Sequence, residues 1–429
     1  MRVLKINTIK GVLFLSFLSF FSLSIYSQSN TNSPYTQHGY GQLVEPATAV
    51  QRSMGGLGYA IRNPLAINPL NPASYSAVDS LTFMLDFGIS GKVGWLKQGS
   101  DNSSAKKLNA GLDYVALQFP LARKLGLGLG FTPVSFVGYK FGNDSVLTSE
   151  TMYKRYTGSG GLSKIYLALS YRINNNLSVG ANAGYLFGDI TRDKSSVSSS
   201  SNTHMTVWGD TLRTNALTYE FGIQYRHPIN RTTEWIIGAV YTPKITLGTK
   251  VMQGETQYAG NYVTGKQIYF SSTDSVFQFP ETYAIGIAYS KINKLTVGAD
   301  FQYQRWADVK FYDRTNAFNN RLKINAGVEY IPGMMNSKFF KRIRYRAGAY
   351  YKNSYIRPEI SGYEDKGIKD LGASLGFGIP MNDRRSFVNL AFEYNAILPE
   401  VSDWVKEEYF KFTISYTFNE LWFLKRKLQ

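Results

Sequence analysis

The chain has 429 residues, no cysteine, 31 Tyr, 27 Phe and 39 Gly, and it carries a formal net charge of +17 with only 18% charged residues. Zero cysteines exclude a disulfide scaffold, a thiolate nucleophile, a Cys-ligated zinc site and a lipobox, and three histidines leave little for acid–base or metal chemistry. Length alone would suggest two or three soluble domains, but 15% aromatics with abundant glycine argue against that.

The chain opens with Arg2, Lys5 and Lys10, an apolar run from Gly11 to Leu23, and the small-residue stretch Ser24-Ile25-Tyr26-Ser27. This order predicts a secretory signal peptide over residues 1–27, cleaved before Gln28. The apolar run is too short to span a bilayer comfortably as an anchor. Cleavage removes three positive charges and leaves +14. No later run is long and apolar enough for a membrane helix.

Residues 28–80 do not alternate, and they contain Pro34, Pro46, Pro64, Pro69 and Pro72. Such a segment does not suit membrane strands. From Leu81 onward the period is two. Leu217, Tyr219, Phe221, Ile223 and Tyr225 alternate with Thr218, Glu220, Gly222 and Gln224, and Phe410, Phe412, Ile414, Tyr416 and Phe418 alternate in the same way near the end. Period two gives strands with one apolar face. Long strands, a second face of small and polar residues, and aromatics near the strand ends point to a transmembrane β-barrel with lipid-facing apolar residues.

Fourteen antiparallel strands are expected between residues 81 and 418, starting at Thr82–Trp95 and closing at Lys406–Phe418. Tight turns at Leu121–Lys124, Asn174–Asn176 and Ile292–Lys294 alternate with long connections at Asn143–Gly161, Arg192–Asn215 and Val251–Glu281. The short ones belong on the periplasmic side. The predicted fold class is therefore all-β, a 14-stranded antiparallel outer-membrane barrel. A lumen of that size has room for residues 28–80 as an N-terminal plug, with Arg52 and Arg62 as candidates to hold it by pairing with lumen-facing carboxylates at Glu220, Asp300, Glu329 and Glu393. Lys323, Arg346 and Lys411 are further candidate partners of those carboxylates.

The run Gly55-Gly56-Leu57-Gly58-Tyr59-Ala60 and the later Asn71-Pro72-Ala73, just before the first strand, resemble the N-terminal hatch of the FadL/TodX family of outer-membrane transporters. Trp306, Asp308 and Val309 also resemble a family pattern. The resemblance implies a 14-stranded barrel plugged by its N-terminus and passive transport of hydrophobic compounds such as long-chain fatty acids. It is sharp at the glycine run and at Asn71-Pro72-Ala73, and otherwise the chain is similar to the divergent members found in Bacteroidota. Some of those relatives are associated with secretion or assembly complexes, which makes a non-transporting structural subunit the alternative.

Seventeen Lys and Arg residues fall on the short turns, their strand ends and the C-terminal tail, against Glu234, Asp383 and Glu420. They include Arg172, Arg226, Arg344 and Arg346, the turn residues Lys341, Arg342, Arg384 and Arg385, and Lys425, Arg426 and Lys427 in the tail 419–429. Their net of +14 equals that of the whole mature chain, so the excess charge sits at one rim. Such a rim fits anionic headgroups of outer-membrane lipid or an acidic periplasmic or outer-membrane protein partner, and the arrangement argues against nucleic acid. Hydrophobic small molecules would need an apolar pocket and a strand irregularity. Tyr269, Phe270, Val276, Phe277 and Phe279 are the candidate ligand-binding residues. Pro133 and Pro243 are candidate irregularities, because proline cannot donate to a ladder. No nucleophile–base or metal-ligand spacing is present, so no enzyme activity, metal or cofactor is expected.

Overall fold

The computed structural model describes residues 31–99, 104–147, 150–198, 204–259, 262–272, 276–357, 366–383 and 385–421. The expected signal peptide and the cations Arg384, Lys425, Arg426 and Lys427 lie outside them, as does most of the tail. Apart from the two-residue strand β1 (Gln42–Leu43), the sheet begins at Thr82. Seven barrel strands come first: β2 (Thr82–Gln98), β3 (Ser104–Ala122), β4 (Leu125–Leu147), β5 (Glu150–Arg172), β6 (Leu177–Ser198), β7 (His204–Pro228) and β8 (Thr233–Thr242). An excursion follows, made of β9 (Ile245–Ala259), β10 (Tyr262–Ser272) and β11 (Phe277–Phe279). Seven more strands complete the wall: β12 (Thr282–Lys291), β13 (Leu295–Gln304), β14 (Arg321–Tyr330), β15 (Arg344–Asn353), β16 (Ile368–Pro380), β17 (Phe387–Pro399) and β18 (Val405–Leu421).

The wall closes because β18 pairs antiparallel with β2 from Val405↔Gln98 to Leu421↔Thr82, and β12 pairs directly with β8 across the base of the excursion. This is the expected closed 14-stranded antiparallel barrel. Side-chain parity follows the sequence period. On β5, Ile165, Leu167, Leu169 and Tyr171 are exposed while Tyr166, Ala168 and Ser170 are buried. Apolar residues thus point to lipid and small or polar ones to the lumen.

Strands β8, β12, β13, β14 and β15 are each 10 residues long, close to the 9–11 that cross a bilayer when tilted. Strands β4 to β7 run to 22–25 residues. The stretches expected as loops at Asn143–Gly161 and Arg192–Asn215 are instead largely the upper halves of these strands. Val251–Glu281 forms the hairpin β9–β10 and the short β11, and β9 pairs with the upper half of β7. Beyond the membrane both faces meet water, so the apolar alternation fades while the backbone ladder continues. That is why the sequence period stopped short of the strand ends.

Residues 31–80 are mostly buried and touch strands all round the wall. They contain a short helix Ala49–Arg52, capped by Thr48 and Gln51, and a 3-10 turn Pro72–Ala77 whose preceding Asn71 accepts from the Ala73 N–H. Inward glycines make room for the backbone of this segment. A Cβ at Gly238 would stand 1.9 Å from Tyr59 O, at Gly348 2.1 Å from Met54 C, and at Gly180 2.4 Å from Pro72 C. Gly55 and Gly56 have φ of 69° and 83°, left-handed values that glycine adopts without strain.

Candidate functional site

The lumen is held together by charges on the N-terminal segment and the inner wall. Glu45 pairs with Arg321 at 3.2 Å and with Lys323. Arg52 lies 3.8 Å from Asp113 and 4.0 Å from Glu393, and Lys411 pairs with the same Asp113 at 2.9 Å. Burial alone would raise the Glu45 carboxyl, but the charges of Lys323, Lys352 and Arg321 hold it well below its ordinary value. Arg62 donates to Ala73 O, Gln224 Oε1 and Ser76 Oγ, all neutral acceptors. The four expected carboxylates therefore part company. Glu393 meets Arg52, Glu329 is shared by Arg344 and Arg346, Glu220 pairs with Lys164, and Asp300 accepts backbone N–H groups from Gly58 and Tyr59. Asn71 adds a bond from its Nδ2 to Tyr59 O, and Pro72 packs against Gly180 and Gly222.

The wall has a seam. The β3–β4 ladder runs only from Val115↔Phe131 to Ala122↔Leu125. Above it, Ser104–Tyr114 pair with β2 alone, and β4 continues against β5. Pro133 stands beside the point where the ladder stops, and the β4–β5 register shifts between Pro133 and Ser135. The N-terminal segment bridges the opening. Gln42 and Leu43 pair with Phe136 and Ser135, Val44 N–H donates to Val134 O at 2.8 Å, and Asn32 Nδ2 donates to Asn109 Oδ1 at 2.7 Å. Pro243 sits in the gap between β8 and β9, where β7 changes partner from one to the other.

Both prolines line one cavity of about 160 Å³, with Leu43, Val44, Pro46, Leu70, Val134, Leu186, Val240, Ile245, Phe279 and Trp306 around it. Its charged and amide side chains are Glu45, Lys164, Glu220, Gln302, Gln304 and Arg321, most of them engaged with one another. A second cavity of about 140 Å³ lies behind the seam and is lined by charged groups including Arg52, Lys92, Asp113, Lys352 and Lys411.

The five candidate ligand residues do not converge. Phe279 lines the first cavity. Phe277 is fully buried against Phe311 and Tyr312, and Val276 stands half-buried beside it. Tyr269 is 58% exposed on β10 and donates to Glu255 at 2.6 Å. Phe270 pairs with Gln253 on β9, and its side chain lies outside the described residues. Trp306 is fully buried among Tyr40, Phe279, Phe318 and Tyr355, in a 3-10 turn after the end of β13 and not on the strand itself.

The rim cations also divide. Lys341 and Arg385 are exposed, and Arg342 is half-buried with its guanidinium 5.8 Å from the Phe339 ring. Arg344, expected at the rim, and Arg346, expected both at the rim and as a lumenal partner, turn into the lumen and are 4% exposed. Their neighbour Tyr345 takes the opposite, outward parity.

Solved structures with this fold include a Pseudomonas aeruginosa FadL homologue (12% identity, 88% of this chain and 99% of that one, TM-score 0.58). The Pseudomonas putida toluene transporter TodX is similar at 14% identity, 89% and 99% coverage and TM-score 0.57. The Ralstonia pickettii toluene transporter TbuX is similar at 16% identity, 86% and 97% coverage and TM-score 0.56. These structural likenesses establish a shared fold, that of FadL-type barrels. No curated protein sequence matches the chain. A family model described as BamG matches residues 8–429, and the chain belongs to the BamG family.

Proposed function

We propose that the chain is an outer-membrane barrel for passive movement of hydrophobic compounds, with residues 31–80 as its plug. The observation that carries this is the apolar cavity at Pro133 and Pro243, which reaches the β4 edge of the seam where the β3–β4 ladder stops. A cavity of about 160 Å³ is close to the ~150 Å³ site that accepts a benzene ring elsewhere. It suits one ring, or one end of a longer chain such as a fatty acid. The structural neighbours named as toluene transporters support the same class of cargo.

Because the chain has no cysteine, the test is clean. Cysteines placed at Asn32 and Asn109 and joined by a short thiol cross-linker pin the segment across the seam. Uptake of a fluorescent hydrophobic probe into vesicles carrying the barrel should fall to the level of empty vesicles, and recover when a cleavable linker is cut. Uptake that ignores the cross-link rejects the seam as the path.

A second reading is a sealed structural subunit of a larger outer-membrane assembly. It is favoured by the ion pairs of Glu45 and Arg52, which fasten the segment to β3, β14 and β17. A stoichiometric partner co-purifying from native membranes, together with no probe uptake, would select it.

A further inference from the structure

We propose that the short-turn mouth of the barrel contains an anion site that takes a phosphate group. A cavity of about 310 Å³ opens there, between Ile61–Leu65 of the N-terminal segment and the turn Ile292–Lys294. Three guanidiniums converge on it: Arg62 from the segment, Arg172 from the end of β5 and Arg226 from the end of β7.

Their charges are unequally matched. Arg226 Nε donates to Glu234 Oε2 at 2.9 Å. Among the described residues, no carboxylate lies within ion-pair distance of Arg62 or Arg172. Arg62 spends its bonds on neutral acceptors. Arg172 donates to Ser76 O, and its buried Nε has no partner. Burial, and then the nearby charges of Arg172 and Arg226, push the Arg62 guanidinium below its ordinary value. The remaining lining charges do not close the balance. Arg344 shares Glu329 with Arg346, while Lys294 and Asp79 stand exposed at the lip.

Converging guanidiniums repel one another, and a bound anion relieves that repulsion while filling unused donors. Arginine presents a planar fork that matches phosphate oxygens, and a phosphate group offers enough acceptors for several forks at once. The basic turns around the mouth raise the local concentration of anions. This site is inside the mouth, so it differs from contact between outward rim cations and the lipid surface. The phosphate can belong to free phosphate or to the headgroup of an anionic phospholipid.

Titration calorimetry on the full chain in neutral detergent separates these sources, using inorganic phosphate in one arm and a short-chain phosphatidylglycerol in the other. One equivalent should bind in at least one arm, with tighter lipid binding identifying the headgroup and equal or tighter phosphate binding identifying the free ion. Arg62→Gln and Arg172→Gln should each weaken binding roughly tenfold, the scale of one charge-assisted hydrogen bond. Arg172→Gln also removes the bond to Ser76 O, so Lys294→Gln serves as a variant that leaves the segment untouched, with a smaller loss. Exposed Lys341→Gln should leave binding unchanged. No binding in either arm, or an equal loss in Lys341→Gln and Arg62→Gln, overturns the site.

Discussion

Asp300 of β13 accepts the backbone N–H of Gly58 at 2.7 Å, and its same oxygen takes the Tyr59 N–H at 3.1 Å. A lumenal carboxylate thus anchors the glycine run through main-chain donors and not through a cation. Asp300→Ala leaves two buried N–H groups without an acceptor, at about 1–3 kcal/mol each. The variant should assemble as a barrel yet release the segment early. Limited proteolysis of folded protein in detergent should cut within residues 31–80 faster than in the parent. An unchanged digestion pattern would remove Asp300 from the anchoring account.

Glu45 carries a larger share. It faces Arg321 and Lys323, and removing one partner of a buried pair leaves uncompensated charge at about 3–5 kcal/mol. Glu45→Gln should therefore lower the heat or urea resistance of the folded form on gels more than Asp300→Ala does. Because the folded carboxyl is held below its ordinary 4.5, its contribution is fully present above that value. It fades only as the pH falls below about 4.5 toward the folded value. The difference in protease resistance of the segment between the parent and Glu45→Gln should be constant from neutral pH to about 5 and shrink below it. A difference between the two that already shrinks above pH 5 would contradict this sign.

The wall was legible in the sequence because lipid selects side chains by parity, and parity is local. Ile165 and Tyr166 reveal their faces from their neighbours alone. The same signal was available for Arg344, which with Arg346 flanks outward Tyr345; Arg346 was placed both at the rim and among the lumenal partners, and parity decides for the lumen in both. The partners of Arg52 were legible in part: Glu393 stood among the four lumenal carboxylates expected for the arginines of the segment, and Asp113 did not. Asp113 and Glu393 stand on strands far away in sequence, and only barrel closure brings them to one helix turn. Tyr269 and Phe277 shared an apolar stretch, but β10 faces water while β11 folds back over the lumen, so one stretch served two environments.

Gly348 tests whether inward glycines are a seat for the segment or merely small. A Cβ there meets Met54 C at 2.1 Å and Gly55 N at 2.3 Å, both backbone atoms. Gly348→Val should therefore displace the Met54–Gly55 turn, with an overpacking cost of about 1–3 kcal/mol or more. Position 348 pairs with Gly327 and Ser374 inside intact ladders, so the wall itself should survive. Gly91→Val provides the contrast, because nothing lies within 4 Å of a Cβ at that position. Proteolytic exposure of the segment in the first variant and not the second is the expected result. Equal exposure in both would mean that general strand weakening, and not backbone contact, decides.

Trp306 links the aromatic cap to the apolar cavity. Its ring packs 4.4 Å from Tyr355 and 5.5 Å from Phe279, and it also lines the cavity beside Pro243. Trp306→Ala removes a fully buried ring, at about 3–5 kcal/mol where neighbours cannot collapse into the space. Tyr40, Phe311 and Phe318 brace one another in the same cluster, so collapse should be incomplete and the cavity should grow. If that cavity receives hydrophobic cargo, the variant should be less resistant to heat and yet bind a larger apolar probe more tightly, measured by fluorescence of the probe in detergent. Trp306→Phe should recover most of the stability and reverse the gain in binding. Lost stability with no change in probe binding would leave Trp306 as packing alone and detach the cavity from the transport reading.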